Sequence, residues 1–333
     1  MPEFRRDPVI GRWVIIDPAR KFKKVTHSCE EEYPADFSNC PFCPGNESMT
    51  RHEIVAYCNS PDRQADSKDW TLRVIPNNKP VLEIEGALKR RGEGMYDKMD
   101  GVGAHEIIIE TPRHKESMAE KSEEQYERVY SAFADRMKDL RNDARLEYIL
   151  AFKNYGISAN ALFEHPHSQL IAMPIVPKRV REEILGAERY FKYKERCVFC
   201  DIISQETSAQ ERLVGENEDF IALCPYASRY SFETWIMPKN HLTDFDSISS
   251  KELKNLSKIS KSVFTKLYNV LDDPSCSSLI HTSPLKEKNM PYYHWHIEII
   301  PKLMKTAGFE WGTGLYVNPV LPEEAAKYLR ESE

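Results

Sequence analysis

The chain carries the same ordered set of residues twice, and this repeat limits its fold more than any other feature. A Cys-x-x-Cys with phenylalanine at its third position occurs as "CPFC" (Cys40, Cys43) and as "CVFC" (Cys197, Cys200). Each pair is followed by a β-branched or aromatic run ending in a proline and a histidine: "HEIIIETPRH" reaches His114, and "SFETWIMPKNH" reaches His241. Each half then presents a His-x-His, in "HPHSQLIAMPIVP" (His165, His167) and in "HWHIEIIPKL" (His294, His296). The step from His114 to His165 is 51 residues, and that from His241 to His294 is 53. The cysteine-to-histidine step is 71 residues in the first half and 41 in the second, so the first half holds extra loop. An ancestral duplication accounts for this order. It places the boundary near residues 180 to 195, giving an N-terminal domain over 1–188 and a C-terminal, degenerate repeat over 189–333.

The periodicities fit that division. "VIGRWVIIDP", "HEIIIETP", "EYILAFKN", "SQLIAMPIV", "ETWIMP" and "HWHIEIIP" read as strands bounded by turn residues. The stretch 122–143 opens on a serine cap and repeats apolar residues at helical spacing, and 250–271 is its counterpart. The expected fold class is α+β: two tandem domains, each an antiparallel sheet with one long helix.

Composition narrows the function. The hydrophobic share of 41% and charged share of 29% describe a globular chain. No apolar run reaches the roughly 18 residues that a bilayer span needs. The opening "MPEFRRDPVIGRW" lacks a secretory signal, so a cytoplasmic location and no membrane contact are expected. A net charge of −6 argues against nucleic acid as partner. The eight cysteines are then expected to stay reduced, with Cys29, Cys58, Cys224 and Cys276 as ordinary thiols.

Two thiols separated by two residues can grip one tetrahedral zinc if two further ligands arrive from elsewhere. By the logic of the repeat, one site takes Cys40, Cys43, His114 and His165, and a second takes Cys197, Cys200, His241 and His294. Full coordination would make both structural. In "FEHPHSQL" the residues His165, His167 and Gln169 fall at every second position, which on a strand puts all three on one face. His167 is thereby left beside a metal-held neighbour, free to act as general base or nucleophile.

At this point the motifs "CPFCPGNE", "TPRH", "FKNYG", "HPHSQ", "HWHIEIIP" and "AGFEWGTG" resemble the galactose-1-phosphate uridylyltransferase family, a nucleotidyltransferase branch of the histidine-triad superfamily. The resemblance starts at "RRDPVIGRWVIIDPAR" and runs almost end to end. It implies a ping-pong reaction in which His167 takes UMP from UDP-glucose as a covalent uridylyl-histidine and passes it to galactose 1-phosphate. Gln169 stands where the triad hydrolases carry a third histidine, and its amide would stabilise the intermediate without assisting water. The resemblance further implies substrate-binding roles for Arg20 and Asn154 (phosphates), Asn77 (ribose or another part of the nucleotide), Phe42 (base), and Phe309 and Glu310 (hexose). It also implies a homodimer.

The chain departs from the family in several places. Asn160 and Leu162 replace small residues ahead of the motif, and Lys23 or Lys24 stands in for a second arginine. The segment "LMKTAGFEWGTG" is closer to plant adenylyltransferases acting on ADP-glucose, so an ADP-glucose phosphorylase is the alternative activity. A non-catalytic, zinc-containing nucleotide-binding protein is a third reading. One or two Zn²⁺ per chain are expected. Some relatives build the second site from a glutamate and three histidines, here Glu183, His281, His294 and His296, which would suit iron or another divalent metal.

Overall fold

The computed structural model describes residues 1–20, 37–287 and 289–332. Lys23 and Lys24 lie outside the described residues. The chain opens with a hairpin of β1 (Glu3–Arg6) and β2 (Trp13–Ile16). It continues through β3 (Val55–Cys58), β4 (Trp70–Pro76), an exposed ribbon of β5 (Arg91–Glu93) and β6 (Tyr96–Lys98), and β7 (Ala104–Ile109). Helix α1 (Glu123–Leu140), β8 (Tyr148–Tyr155), β9 (His167–Met173) and helix α2 (Lys178–Lys194) follow. The second half runs α3 (Val198–Ala209), β10 (Leu213–Glu216), β11 (Phe220–Leu223), β12 (Thr234–Pro238), α4 (Ser250–Leu271) and β13 (Cys276–His281). It ends with β14 (His296–Pro301), α5 (Gly308–Thr313), β15 (Tyr316–Asn318) and α6 (Pro322–Glu331).

Ten strands form one sheet in the order β10-β11-β12-β14-β13-β8-β9-β7-β4-β3. Every neighbouring pair in it is antiparallel. Outward from the central β13–β8 pair, the second half reads β13-β14-β12-β11-β10 and the first reads β8-β9-β7-β4-β3. The two series match strand for strand, so the duplication seen in sequence is a symmetry of the sheet. The α+β expectation of two sheet-plus-helix halves holds.

Both long helices lie on one face of this sheet. Ser122 caps α1 by accepting from the Gln125 amide, and α4 opens on a complete capping box between Ser249 and Glu252. Leu256, Ile259, Val263, Leu267 and Leu271 of α4 are buried at helical spacing. They join Tyr126, Val129, Phe133 and Met137 of α1 in the main core. Where the helices meet, the Tyr126 and Phe264 rings stack at 5.8 Å, and Tyr130 Oη lies 2.8 Å from Ser260 Oγ. With one face closed by α1 and α4, the other is shared between the site and, in the second half, the packing of α2 and α3.

Sequence periodicity did not anticipate α2, α3 or α6. Helix α3 begins inside the second cysteine motif, with Cys197 as its N-cap. In the first motif Pro41 and Pro44 keep the same stretch in turns. Position 188 falls inside α2, and β2 pairs on one side with β1 and on the other with β15 from the chain's end, making a separate three-stranded sheet. The opening hairpin therefore sits beside the C-terminal segment, and Arg5 bridges to Glu323 at 2.8 Å. Among the described residues no helix is long and apolar enough to cross a membrane.

Candidate active site and metal clusters

Two Cys₂His₂ clusters assemble on the face away from α1 and α4. The ligand atoms of Cys40, Cys43, His114 and His165 all lie within 4.8 Å of one another, and those of Cys197, Cys200, His241 and His294 do the same. Each is built alike. The Nε2–H of His165 donates to the Thr111 carbonyl at 2.8 Å, and that of His294 to the Pro238 carbonyl at 2.9 Å. These bonds turn both Nδ1 atoms to the cysteines: His165 Nδ1 is 3.6 Å from Cys43 Sγ, and His294 Nδ1 is 3.7 Å from Cys200 Sγ. His114 Nδ1 and His241 Nδ1 lie 3.2 and 3.4 Å from the same two sulfurs. Backbone-anchored imidazoles facing paired thiols match the outer-shell pattern of closed zinc sites. Burial and the neighbouring Cys40 push the Cys43 thiol up to about 12. A nearby cation is what would make both sulfurs thiolates together.

A third group lies close by. Glu183, His281 and His296 also bring their ligand atoms within 4.8 Å of one another. His281 Nδ1 is 3.0 Å from Glu183 Oε2, and the two imidazole rings stack at 4.5 Å. Glu183, His281, His294 and His296 are therefore not one four-ligand set. His294 turns to the cysteines, and the other three form their own cluster beside it.

The first half's His-x-His leads into β9. His167 is buried, and its Nδ1–H donates to the His165 carbonyl at 2.8 Å. That bond fixes the tautomer and leaves Nε2 with its lone pair. Burial, reinforced by the Lys153 charge, pushes the His167 pKa down to about 4, so the ring is neutral at pH 7. Phe42 stands 5.5 Å from this ring, centroid to centroid, and Phe163 lies 4.7 Å from Phe42. Gln169 follows on the same face, opposite Ile107 of β7 and Phe152 of β8.

Behind β9, on the helix side, sits a buried ion cluster. Glu110 accepts from Lys121, from Ser168 Oγ, and from Lys153 Nζ at 2.9 Å. Lys153 Nζ also donates to the His167 carbonyl at 3.0 Å. Burial opposes ionisation of Glu110, but the two ammonium groups overcome it and hold this carboxyl far below its usual range. The backbone of His167 is thus gripped from behind while its ring faces the open side.

The remaining expected site residues are spread out. Asn154 lies on β8 and accepts from Ser277 Oγ at 3.0 Å. Asn77, just after β4, places its amide against His105. Arg20 is exposed and pairs with Asp17 at 3.4 Å. Phe309 is exposed on α5, where Glu310 accepts from the Ala307 amide at 3.0 Å. No hydrogen bond or ring contact joins Arg20, Phe309 or Glu310 to the His167 group among the described residues. Leu162 is 79% exposed, and Asn160 takes a left-handed turn at φ 64°. The sequence reading left out Glu110, Lys153, Ser168 and His105. Lys153 lies within "FKNYG", and His105 shares a strand face with Ile107 and Ile109, so alternation along β7 was the signal available for it.

Known proteins resemble this chain in sequence and in fold. The family profile of the galactose-1-phosphate uridyl transferase N-terminal domain matches residues 1–177. ADP-glucose phosphorylase of Arabidopsis thaliana is 35% identical over 99% of this chain and 93% of its own length. The chain belongs to the galactose-1-phosphate uridyl transferase family. Membership makes it a transferase-family enzyme, and its Cys/His clusters are sets that could hold metal ions. A second profile, a domain of unknown function (DUF4921), overlaps the first over residues 102–331. Within the family, galactose-1-phosphate uridylyltransferase of Thermotoga maritima is 29% identical over 100% of this chain and 99% of its own. A crystal structure of the Arabidopsis ADP-glucose phosphorylase with bound ADP-glucose superposes with a TM-score of 0.84 at 34% identity, each chain covered in full. A uridylyltransferase structure follows at 0.78 and 25% identity, with 100% of this chain and 98% of that one covered.

Proposed function

We propose that the chain is a nucleotidyltransferase working through a covalent nucleotidyl-histidine at His167. The observation that carries this reading is the His167 tautomer: Nδ1–H is committed to the His165 carbonyl, and the neutral ring keeps its lone pair on Nε2. Nε2 attacks the α-phosphorus of a nucleoside diphosphate sugar. The P–N bond forms as the P–O bond to the sugar phosphate breaks, and the sugar 1-phosphate leaves. An acceptor phosphate oxygen then attacks the same phosphorus and frees the histidine. Phe42 supplies an apolar wall for the base, and Gln169 and Asn154 supply amides for the phosphoryl oxygens. Arg20 and Asn77 complete the phosphate and ribose contacts, and Phe309 and Glu310 the hexose contacts.

Two substrate pairs fit this chemistry. ADP-glucose with inorganic phosphate, giving ADP and glucose 1-phosphate, is favoured by the 35% identity and 0.84 TM-score to a plant enzyme of that activity. UDP-glucose with galactose 1-phosphate is the second, supported by the uridylyltransferase relatives and placing the chain in galactose metabolism. Under either, Zn²⁺ at both Cys₂His₂ clusters would hold the two halves in shape. The proposal keeps two domains, 1–188 and 189–333, supported by the matched halves of the sheet, and a cytoplasmic homodimer.

Intact-protein mass after mixing with ADP-glucose, and separately with UDP-glucose, tests this with no acceptor added. A gain of one AMP supports the phosphorylase form, and a gain of one UMP the uridylyl form. No gain from either overturns the covalent mechanism.

A further inference from the structure

His105 is buried on β7, one face-step from Ile107, and so lies diagonal to Gln169 of β9, whose cross-strand partner is Ile107. Its ring sits inside the turn that follows β4. The Val81 backbone N–H reaches His105 Nδ1 at 3.2 Å, and His105 Nε2 lies 2.9 Å from Gln169 Oε1. Proton counting fixes every role in this chain. A backbone amide can only donate, so Nδ1 must be the bare nitrogen of a neutral ring. Nε2 then carries the proton and donates, and the Gln169 atom facing it must be the carbonyl oxygen. The Asn77 amide nitrogen is 3.1 Å from Nε2 and 3.4 Å from Nδ1, an approach over the ring face rather than along either lone pair. Asn77 Oδ1 is already taken by the Lys79 amide at 2.9 Å, which holds that side chain in place.

With its oxygen occupied, Gln169 has its NH₂ left over. That nitrogen makes no hydrogen bond among the described residues, and it belongs to the side chain two positions beyond His167. We propose that His105 is a positioning residue: its Nε2–H locks the Gln169 amide so that the NH₂, and not the oxygen, faces the phosphoryl group carried by His167. A flipped amide would present a lone pair to the phosphoryl oxygens and repel them. The inference rests on the nucleotidyl-histidine reading above. The second half shows the contrast. Gln169 pairs with Ile107 as Glu298 pairs with Trp235, so Glu298 stands for Gln169 and Glu233 for His105. Two carboxylates at these positions cannot make this donor chain.

The test has two parts. In the first, the whole protein labelled with ¹⁵N-histidine is examined by long-range ¹H–¹⁵N correlation at neutral pH, with His105 assigned through its contacts to Val81. A bare Nδ1 and protonated Nε2 are expected, and the opposite tautomer or an imidazolium overturns the proposal. In the second, transfer rates are compared for wild type, His105→Phe, Gln169→Met and the double variant. His105→Phe is expected to lower kcat by about 10- to 100-fold, short of the full loss of a transition-state donor, with KM for the nucleotide sugar little changed. His105→Gln, which offers an N–H at the same reach, should recover most of kcat. The double variant should be no slower than Gln169→Met alone. Fully additive losses, or a change confined to KM, overturn the positioning role. Absence of any adduct in wild-type protein would instead count against the nucleotidyl-histidine reading and leave the tautomer result standing by itself.

Discussion

The two halves of the sheet hold the same frame around different contents. His167 donates from Nδ1 to the carbonyl two residues back, and His296 is 3.2 Å from the His294 carbonyl in the same way. Phe42 faces His167 at 5.5 Å, and Phe199 faces His296 at 5.2 Å. The metal-type clusters below them agree to within a few tenths of an ångström. The differences lie in front of and behind this frame. By register, Asn154 and Gln169 in the first half become His281 and Glu298 in the second. Glu183 comes in from α2 to meet His281 and His296, and Glu298 pairs with the buried Arg229. A phosphate arriving at His296 would meet two carboxylates. Behind the strand, Lys153 and Ser168 become Ile280 and Ile297, so the buried ion cluster of the first half is replaced by apolar packing. The frame is what the fold keeps, and the chemistry rests on a few positions that face it.

The sharpest way to break this comparison is to remove the two equivalent imidazoles. His167→Ala should abolish the covalent adduct and lower transfer by roughly 10⁴-fold or more, the scale of losing a nucleophile. His296→Ala should lower the melting temperature and leave adduct formation on His167 largely intact. Intact mass and single-turnover rates read both. An adduct persisting in His167→Ala, or lost in His296→Ala while circular dichroism still reports the folded state, would show that the halves are not divided as described.

The clusters give the next largest effect. Cys40→Ser should release one metal ion and also stop transfer, because His165 sits two residues from His167 and its carbonyl fixes the nucleophile's tautomer. Cys197→Ser should release one metal ion and lower stability, with transfer per folded molecule much less affected. Zinc content by atomic emission and residual activity after brief chelation check this. Equal loss of activity from both variants would mean that the second cluster supports the reacting centre directly.

Much of this was legible in the sequence, and the reasons are physical. Metal-type ligands sit at fixed short spacings and so repeat visibly, which located both Cys₂His₂ sets. The His-x-His-x-Gln alternation on one strand placed His167 and Gln169 together. Long amphipathic helices announce themselves through caps and period, and α4 runs over 250–271 as read. What was not legible depends on strand neighbours. His105 touches Gln169 only because β7 lies beside β9, and Glu110 reaches Lys153 across β9. Glu183, His281, His294 and His296 are separated by whether each faces the cysteines or the sheet, which spacing cannot convey. Phe309 and Glu310 fall on a short exposed helix, with no local signal of what they approach.

The smallest expected effect concerns the grip from behind. Lys153→Met removes the ammonium that holds the His167 carbonyl and one of the two cations on Glu110, while Lys121 and Ser168 remain. Losing one buried charge-assisted bond of this kind should cost about 1–3 kcal/mol of stability. It should also move a pH profile. The Lys153 charge is the second cause, after burial, that keeps the His167 pKa near 4. Taking that charge away raises the pKa, so the ring is protonated at a higher pH and the nucleophile is lost sooner on acidification. In wild type the single-turnover rate should stay level down to about pH 5 and fall below it, whereas in Lys153→Met the fall should begin nearer neutrality. The equivalent position in the second half is Ile280, already uncharged, and His296 carries no such dependence on a lysine. A Lys153→Met profile that overlays wild type would mean that the cluster behind β9 supports the fold alone and that the halves differ only at their front face.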